Sequence, residues 1–220
     1  MEDEIVILAK SIKNHGFCVA GKSTRTHQWI RPVSTPEGGE LTEHQTLACF
    51  TNSRGEYCCY PCKPLQKIRM TFLHDTPLYY QRENYLIDEN VDWIQNYKIT
   101  ESELEPYLDN PIDLWGQGDY ILQGQNPERN SLYLIRVQNL RFYRDNYDGR
   151  DRRKVSFLYN RILYRLSCTD PNFDSLIQRQ DLNTNYAILC ISLAQPIAYN
   201  LNGVNEIRHY KLVASIYFPD

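Results

Sequence analysis

The feature that most constrains this chain is its punctuation. Apolar and aromatic runs of roughly four to eight residues are broken every ten residues or so by Gly, Pro, Asn and Asp clusters. Residues 4–9 (EIVILA), 16–21 (GFCVAG) and 28–33 (QWIRPV) read as a three-strand meander. A loop follows over 34–40 (STPEGGE), marked by Pro36 and Gly38-Gly39. Residues 67–73 alternate polar and apolar, as a half-buried strand does. Further strands are expected over 131–137, which 140–144 either continues or pairs with, and over 154–159, 161–167, 186–193 and 210–218. In 161–167, Ile162, Tyr164 and Leu166 face one way and Arg161, Leu163, Arg165 and Ser167 the other. Residues 146–149 and 200–203 are turns, the first built on Asp148-Gly149.

Helical signals are few. Asp88 predicts a capped helix through Asn96, and Thr100 with Glu103 predicts a short helix over 101–108. Many strands with few crossover helices imply a mainly β fold, closed as barrels or stacked as sandwiches. The acidic stretch 83–113 reads as a connector, which divides the chain into 1–110 and 111–220. Tyrosine is abundant, 17 of 220 residues. It suits strands, and it can pack on one side while bonding to water or a partner on the other.

No apolar run is long enough to span a membrane. The acidic start, leading straight into a strand-like run, does not read as a signal peptide. Seven cysteines without such a signal read as reduced thiols of a cytoplasmic protein. The net charge of −3 hides an asymmetry. Between Arg136 and Arg165 nine basic residues face three acidic ones, a net of +6, so the remainder carries −9. Such a segment points to an anionic partner.

Residues 16–21 followed by 29–34 (WIRPVS), then 80–84 (YQREN), 131–135 (SLYLI), 137–140 (VQNL), 169–171 (TDP), 189–193 (LCISL) and 209–214 (HYKLVA) together resemble the bacterial dual OB-containing domain family. The resemblance runs in order over nearly the whole chain. It implies two tandem OB-like barrels, 1–110 and 111–220, with one or two short helices in the connector. It implies no reaction. The three-cysteine loop 57–64 (YCCYPCKP) and the insertion 198–208 depart from the pattern, as local elaborations.

Four groups of residues are candidates for chemistry. The first is the basic, Tyr-interleaved segment: Arg141, Arg144, Arg150, Arg152, Arg153 and Lys154 for phosphates, and Tyr143, Tyr147 and Tyr159 for bases. Its plain alternative is a solvated hairpin whose cations pair with Asp145, Asp148 and Asp151. The second is Trp29 with Arg31, either a core anchor with a buried ion pair or an arginine in a pocket between barrels, lined also by His209 and Lys211. The third is Cys58, Cys59 and Cys62, with His44 and Cys49 upstream, a poor pair of pairs for zinc; no metal and no cofactor are expected. The fourth is acid–base or nucleophilic chemistry, for which His15 beside Cys18, His209 and Glu83 are isolated candidates without a motif. Residues 16–23 (GFCVAGKS) satisfy the P-loop spacing literally, but their interior reads as a strand and no helix follows.

The expectation is a non-catalytic module that binds single-stranded nucleic acid or RNA. It would serve a bacterial system of defence or nucleic-acid processing. An enzyme or nucleotide sensor with a pocket between barrels, and a protein-interaction module, are the alternatives. The sequence leaves the oligomeric state open.

Overall fold

In the computed structural model, residues 1–13, 16–125, 130–147, 149–179, 182, 184–201 and 204–219 are described; for Lys13, Tyr147, Arg150, Leu201 and Val204 this covers the backbone alone. The chain divides into two units, Met1–Tyr107 and Leu108–Asp220.

The first unit holds β1 (Glu2–Lys13), β2 (Gly16–Ser23), β3 (Trp29–Val33), β4 (Leu47–Thr51), β5 (Tyr57–Pro61), β6 (Gln66–Asp75), β7 (Asn84–Ile87) and β8 (Trp93–Lys98). The expected meander forms as β1, β2 and β3. Five strands close a ring in the order β1-β2-β3-β7-β6 and back to β1. The ring is antiparallel throughout except for β3 with β7, which run parallel. Strands β8, β4 and β5 extend the sheet outward from β6. Ile5, Ile7, Val19, Ile30, Ile68, Met70, Phe72, Ile87 and Trp93 fill the interior.

Two features of this unit differ from the sequence expectation. The Asp88 capping signal predicts a helix; the chain instead forms β7 and β8 joined by a turn. Asp88 Oδ1 accepts the Asn90 N–H at 3.1 Å, and the Val91 N–H reaches the Asp88 carbonyl at 3.2 Å. A side-chain oxygen that captures an N–H two residues on starts a turn as readily as a helix. Burial of Ile87 and Trp93 in the barrel decides between them. The connector therefore does not begin at residue 83. Residues 57–61, expected in a loop, are β5. The helical turn at Glu101–Tyr107 is present as a 3-10 helix, and Glu103 accepts hydrogen bonds from the Thr100 N–H (2.8 Å) and hydroxyl (3.0 Å).

The second unit holds β9 (Tyr120–Leu122), β10 (Leu132–Tyr147), β11 (Arg150–Tyr159), β12 (Ile162–Cys168), the one-turn α1 (Phe173–Leu176), β13 (Tyr186–Leu193), β14 (Ile197–Leu201) and β15 (Val204–Tyr217). Its five-strand ring runs β10-β11-β12-β15-β13 and back to β10, with β12 and β15 parallel. By order of appearance both rings read first, second, third, fifth, fourth. Both units are thus OB-like barrels of one topology. Ile135, Val137, Val155, Phe157, Tyr164, Leu166, Leu189, Ile191 and Val213 form the second core. Of the residues expected as an insertion, 198–201 belong to β14 and 204–208 to β15, while Asn202 and Gly203 lie outside the described residues. Among the described residues no helix is long and apolar enough to cross a membrane.

Candidate nucleic-acid interface

Residues directly opposite on paired strands share a face. The register of β10, β11 and β12 therefore decides which basic residues stand together. Arg141 lies opposite Ser156, which lies opposite Arg165; Tyr143 lies opposite Lys154, which lies opposite Ser167; Asp145 lies opposite Arg152. On the alternate positions Phe142, Val155 and Leu166 line the core. The outer face of these three strands thus carries Arg141, Arg152, Lys154 and Arg165 around Tyr143, with Asp145 opposite Arg152 as its acidic residue. Arg141, Arg152 and Arg165 are exposed, while Lys154 and Tyr143 are half-buried. Burial pushes the Tyr143 hydroxyl above its ordinary pKa, and the nearby Arg165 charge opposes that shift.

Arg144 and Arg153 face the other way. Both guanidinium groups bond Asp174 at α1, and Arg144 also bonds Asp151. Each stands about one ring width above Phe173, at 6.0 and 5.9 Å from its centroid. These two arginines fasten α1 to the β10–β11 hairpin. Tyr159 is in the core and donates its hydroxyl to the Pro111 carbonyl at 2.7 Å, so it presents no ring to a base. The side chains of Tyr147 and Arg150 lie outside the described residues. Of the nine residues singled out, four share the outer face. Arg165, which belongs with them, was counted in the basic segment but not singled out; the alternation of β12 was the signal for it.

Each of the pocket candidates has neighbours in its own unit. Arg31 pairs with Glu83 at 3.3 Å, and both are buried. Trp29 is half-buried, with the Lys22 ammonium 5.1 Å from its ring. The His209 ring places Nδ1 3.1 Å from the Ala194 carbonyl. Lys211 is buried and donates to the carbonyls of Gly116, Gln117 and Gly118 at 2.8, 3.2 and 3.1 Å. Burial lowers its pKa to about 8, against the pull of Asp113 and Asp119.

The P-loop-like residues form β2. Lys22 is buried and donates to the Tyr107 carbonyl at 2.8 Å, and the Ser23 hydroxyl donates to Asp3 at 3.1 Å. A Cβ on Gly21 would fall 2.2 Å from the Val6 carbonyl oxygen, so that glycine serves strand crossing and not phosphate contact. Cysteine also departs from expectation. Cys49 and Cys59 stand directly opposite on β4 and β5 and are joined in a disulfide, where seven reduced thiols were expected. Nothing in the spacing of two cysteines ten residues apart shows that a hairpin will oppose them. Cys58 is half-buried, and Cys62 is buried, which pushes its thiol up to about 11. Among the described residues no three His, Cys, Asp or Glu side chains are grouped to hold a metal. His15 lies outside the described residues.

The profile of a family described as "Dual OB-containing domain" matches residues 3–216. No curated protein sequence matches the chain. Among solved structures, a murine DNA binding protein bound with ds DNA is similar over 99% of this chain and 98% of its own, at 5% identity and a TM-score of 0.32. A likeness that loose carries no argument about fold or partner.

Proposed function

Because the chain belongs to the dual OB-containing domain family, we propose that it is a non-catalytic nucleic-acid-binding module whose second barrel holds a single strand, or RNA, along the outer face of β10, β11 and β12. The observation that carries this reading is the register that gathers Arg141, Arg152, Lys154 and Arg165 around Tyr143 on one face. In ring order these are the first three strands of the barrel. OB barrels use the face of their second and third strands, with adjoining loops, to bind oligonucleotides. Cations at alternate positions along a strand stand about 7 Å apart, which lets them follow a flexible phosphate chain. A half-buried tyrosine among them offers a ring to a base. Among the described residues no helix is long enough to enter a duplex groove, which favours single strands over sequence reading in B-form DNA.

The test is fluorescence anisotropy of labelled single-stranded RNA, single-stranded DNA and duplex at about 50 and 200 mM salt. Four phosphate contacts to a single strand predict a loss of roughly 50-fold in affinity across that range. Changing Arg141, Arg152 or Arg165 to Ala weakens binding to all sequences alike and lowers the salt slope by somewhat under one each. Absence of binding at micromolar protein sinks the proposal.

A further inference from the structure

The first half of β15 does more than lead into its barrel stretch. It pairs with β14 on one side and β9 on the other, forming a small sheet between the fourth and fifth ring strands. Arg208 lies opposite Ile197 and Leu122, Tyr210 opposite Tyr120, and Glu206 opposite Tyr199. The alternate residues Ile121 and His209 are buried on the reverse side. The reverse side is thus packed at Ile121 and His209 and exposed at Ile207 and Ala198, while the other side carries three tyrosines around an arginine.

The geometry of that side is specific. The Arg208 guanidinium lies 4.4 Å from the Tyr120 ring centroid and 5.0 Å from that of Tyr199. Tyr210 completes the group, with its ring 5.8 Å from Tyr120 and 6.3 Å from Tyr199. Glu206 accepts from Arg208 Nε at 2.9 Å and Nη2 at 2.6 Å, which fixes the guanidinium plane. The neighbouring Tyr210 hydroxyl pushes the Tyr199 hydroxyl above its ordinary pKa, and Glu206 raises that of Arg208. All four side chains are half-buried, and none of the tyrosines belongs to the barrel core. Ser167 of β12, in line with Lys154 and Tyr143 on the cationic face, lies opposite Leu212 of β15, two residues along from Tyr210. The cluster therefore adjoins the cationic strip.

A cluster with satisfied polar ends and half-presented rings is preorganised for a flat partner. Its rotamers are already ordered, so a stacked ligand loses little further side-chain freedom. A planar guanidinium between rings adds a cationic surface on which heterocycles also stack. We infer that Tyr120, Tyr199, Tyr210 and Arg208 form a base-stacking site that takes unpaired nucleobases of the strand whose phosphates run along β10–β12. This rests on the proposed nucleic-acid reading and goes beyond it, because it requires bases that are out of a duplex. The hairpin between the fourth and fifth ring strands is where this topology places a ligand loop, and residues 198–208 were legible in the sequence only as an insertion.

The experiment uses the full chain and two labelled single strands of equal length, one with bases throughout and one with central abasic sites. Both carry the same phosphates. The wild type binds the base-bearing strand roughly tenfold or more tightly than the abasic strand, and more tightly than duplex of the same length. Tyr199→Ala with Tyr210→Ala cuts that preference several-fold, down to what Tyr143 alone supplies, while leaving affinity for the abasic strand and its salt slope unchanged; Tyr199→Phe keeps it. Tyr199→Trp supplies a reporter whose added emission is quenched by the base-bearing strand and not by the abasic one. Equal wild-type affinity for the two strands, or unchanged Trp emission at saturation, overturns the stacking site and leaves the cationic strip standing. Failure of both strands to bind overturns the proposed function and the stacking site together.

Discussion

At the scale of single residues, Lys211 and Arg152 show how one kind of charge is put to opposite uses. Arg152 is exposed on a strand face. Lys211 is buried, and its three protons meet three carbonyls that converge because Gly116 and Gly118 take φ of 83° and 81°. That backbone region is open to glycine and costly for other residues. The ammonium thus holds the chain over residues 116–118 to β15. Its folded-state pKa, about 8, lies below the ordinary 10.5. Between those values the unfolded chain keeps a proton that the folded chain has released, so raising the pH favours the folded state. Stability against denaturant rises by roughly 2 kcal/mol from neutral pH to about pH 9.5 through this group. Lys211→Met strands the three carbonyls, costs about 2–4 kcal/mol, and removes this rise. Paired chemical-denaturation curves of the two proteins across that range check it. In the sequence, Lys211 and His209 read as the lining of a pocket; nothing local shows that carbonyls more than ninety residues away close on Lys211.

Strands and turns carry the next lesson. Residues 16–23 satisfy the P-loop spacing, and the structure explains Gly21 and Lys22 otherwise. Gly21 lets β1 and β2 cross closely at the Val6 carbonyl, so Gly21→Ala displaces backbone, not a flexible side chain. The expected cost is more than about 3 kcal/mol, seen as a large fall in melting temperature or failure to fold. A nucleotide site would show lost nucleotide binding with stability intact. The α1 turn gives a second prediction. Asp174 pairs with Arg144 and Arg153 on the side turned away from the outer face. Exposed ion pairs of this kind contribute little to stability. Asp174→Asn therefore barely shifts melting, and it leaves the affinity for single strands and the salt slope unchanged, because neither arginine reaches the outer face. The anisotropy titration reads both.

For the whole molecule, the two rings repeat one strand order without visible sequence repetition. Each closes its own core, and each has its one parallel pair between the third and fifth ring strands. A barrel needs alternation and closure, and many sequences meet both. Residues 108–220 expressed alone are expected to unfold in one cooperative transition and to retain the salt-dependent binding of the full chain; circular dichroism and the same titration test this. Loss of binding in a folded fragment would place the strand elsewhere.

What the sequence determined by itself is which way side chains face. Alternation in 67–73 and 161–167 marked the inner and outer positions of β6 and β12, because this is a local property of a pleated chain, whereas Asp148 of the expected turn lies outside the described residues. Only the tertiary structure decided who stands beside whom. It set Arg165 in line with Arg141 across Ser156, Cys49 opposite Cys59, Asp174 under two arginines, and Tyr120 with Tyr199 and Tyr210. It also turned the Asp88 cap into a turn by burying Ile87 and Trp93. The reason is ring closure. A strand's period is written in neighbouring residues, whereas its partners and register follow from bringing first and fourth strands together around a common core.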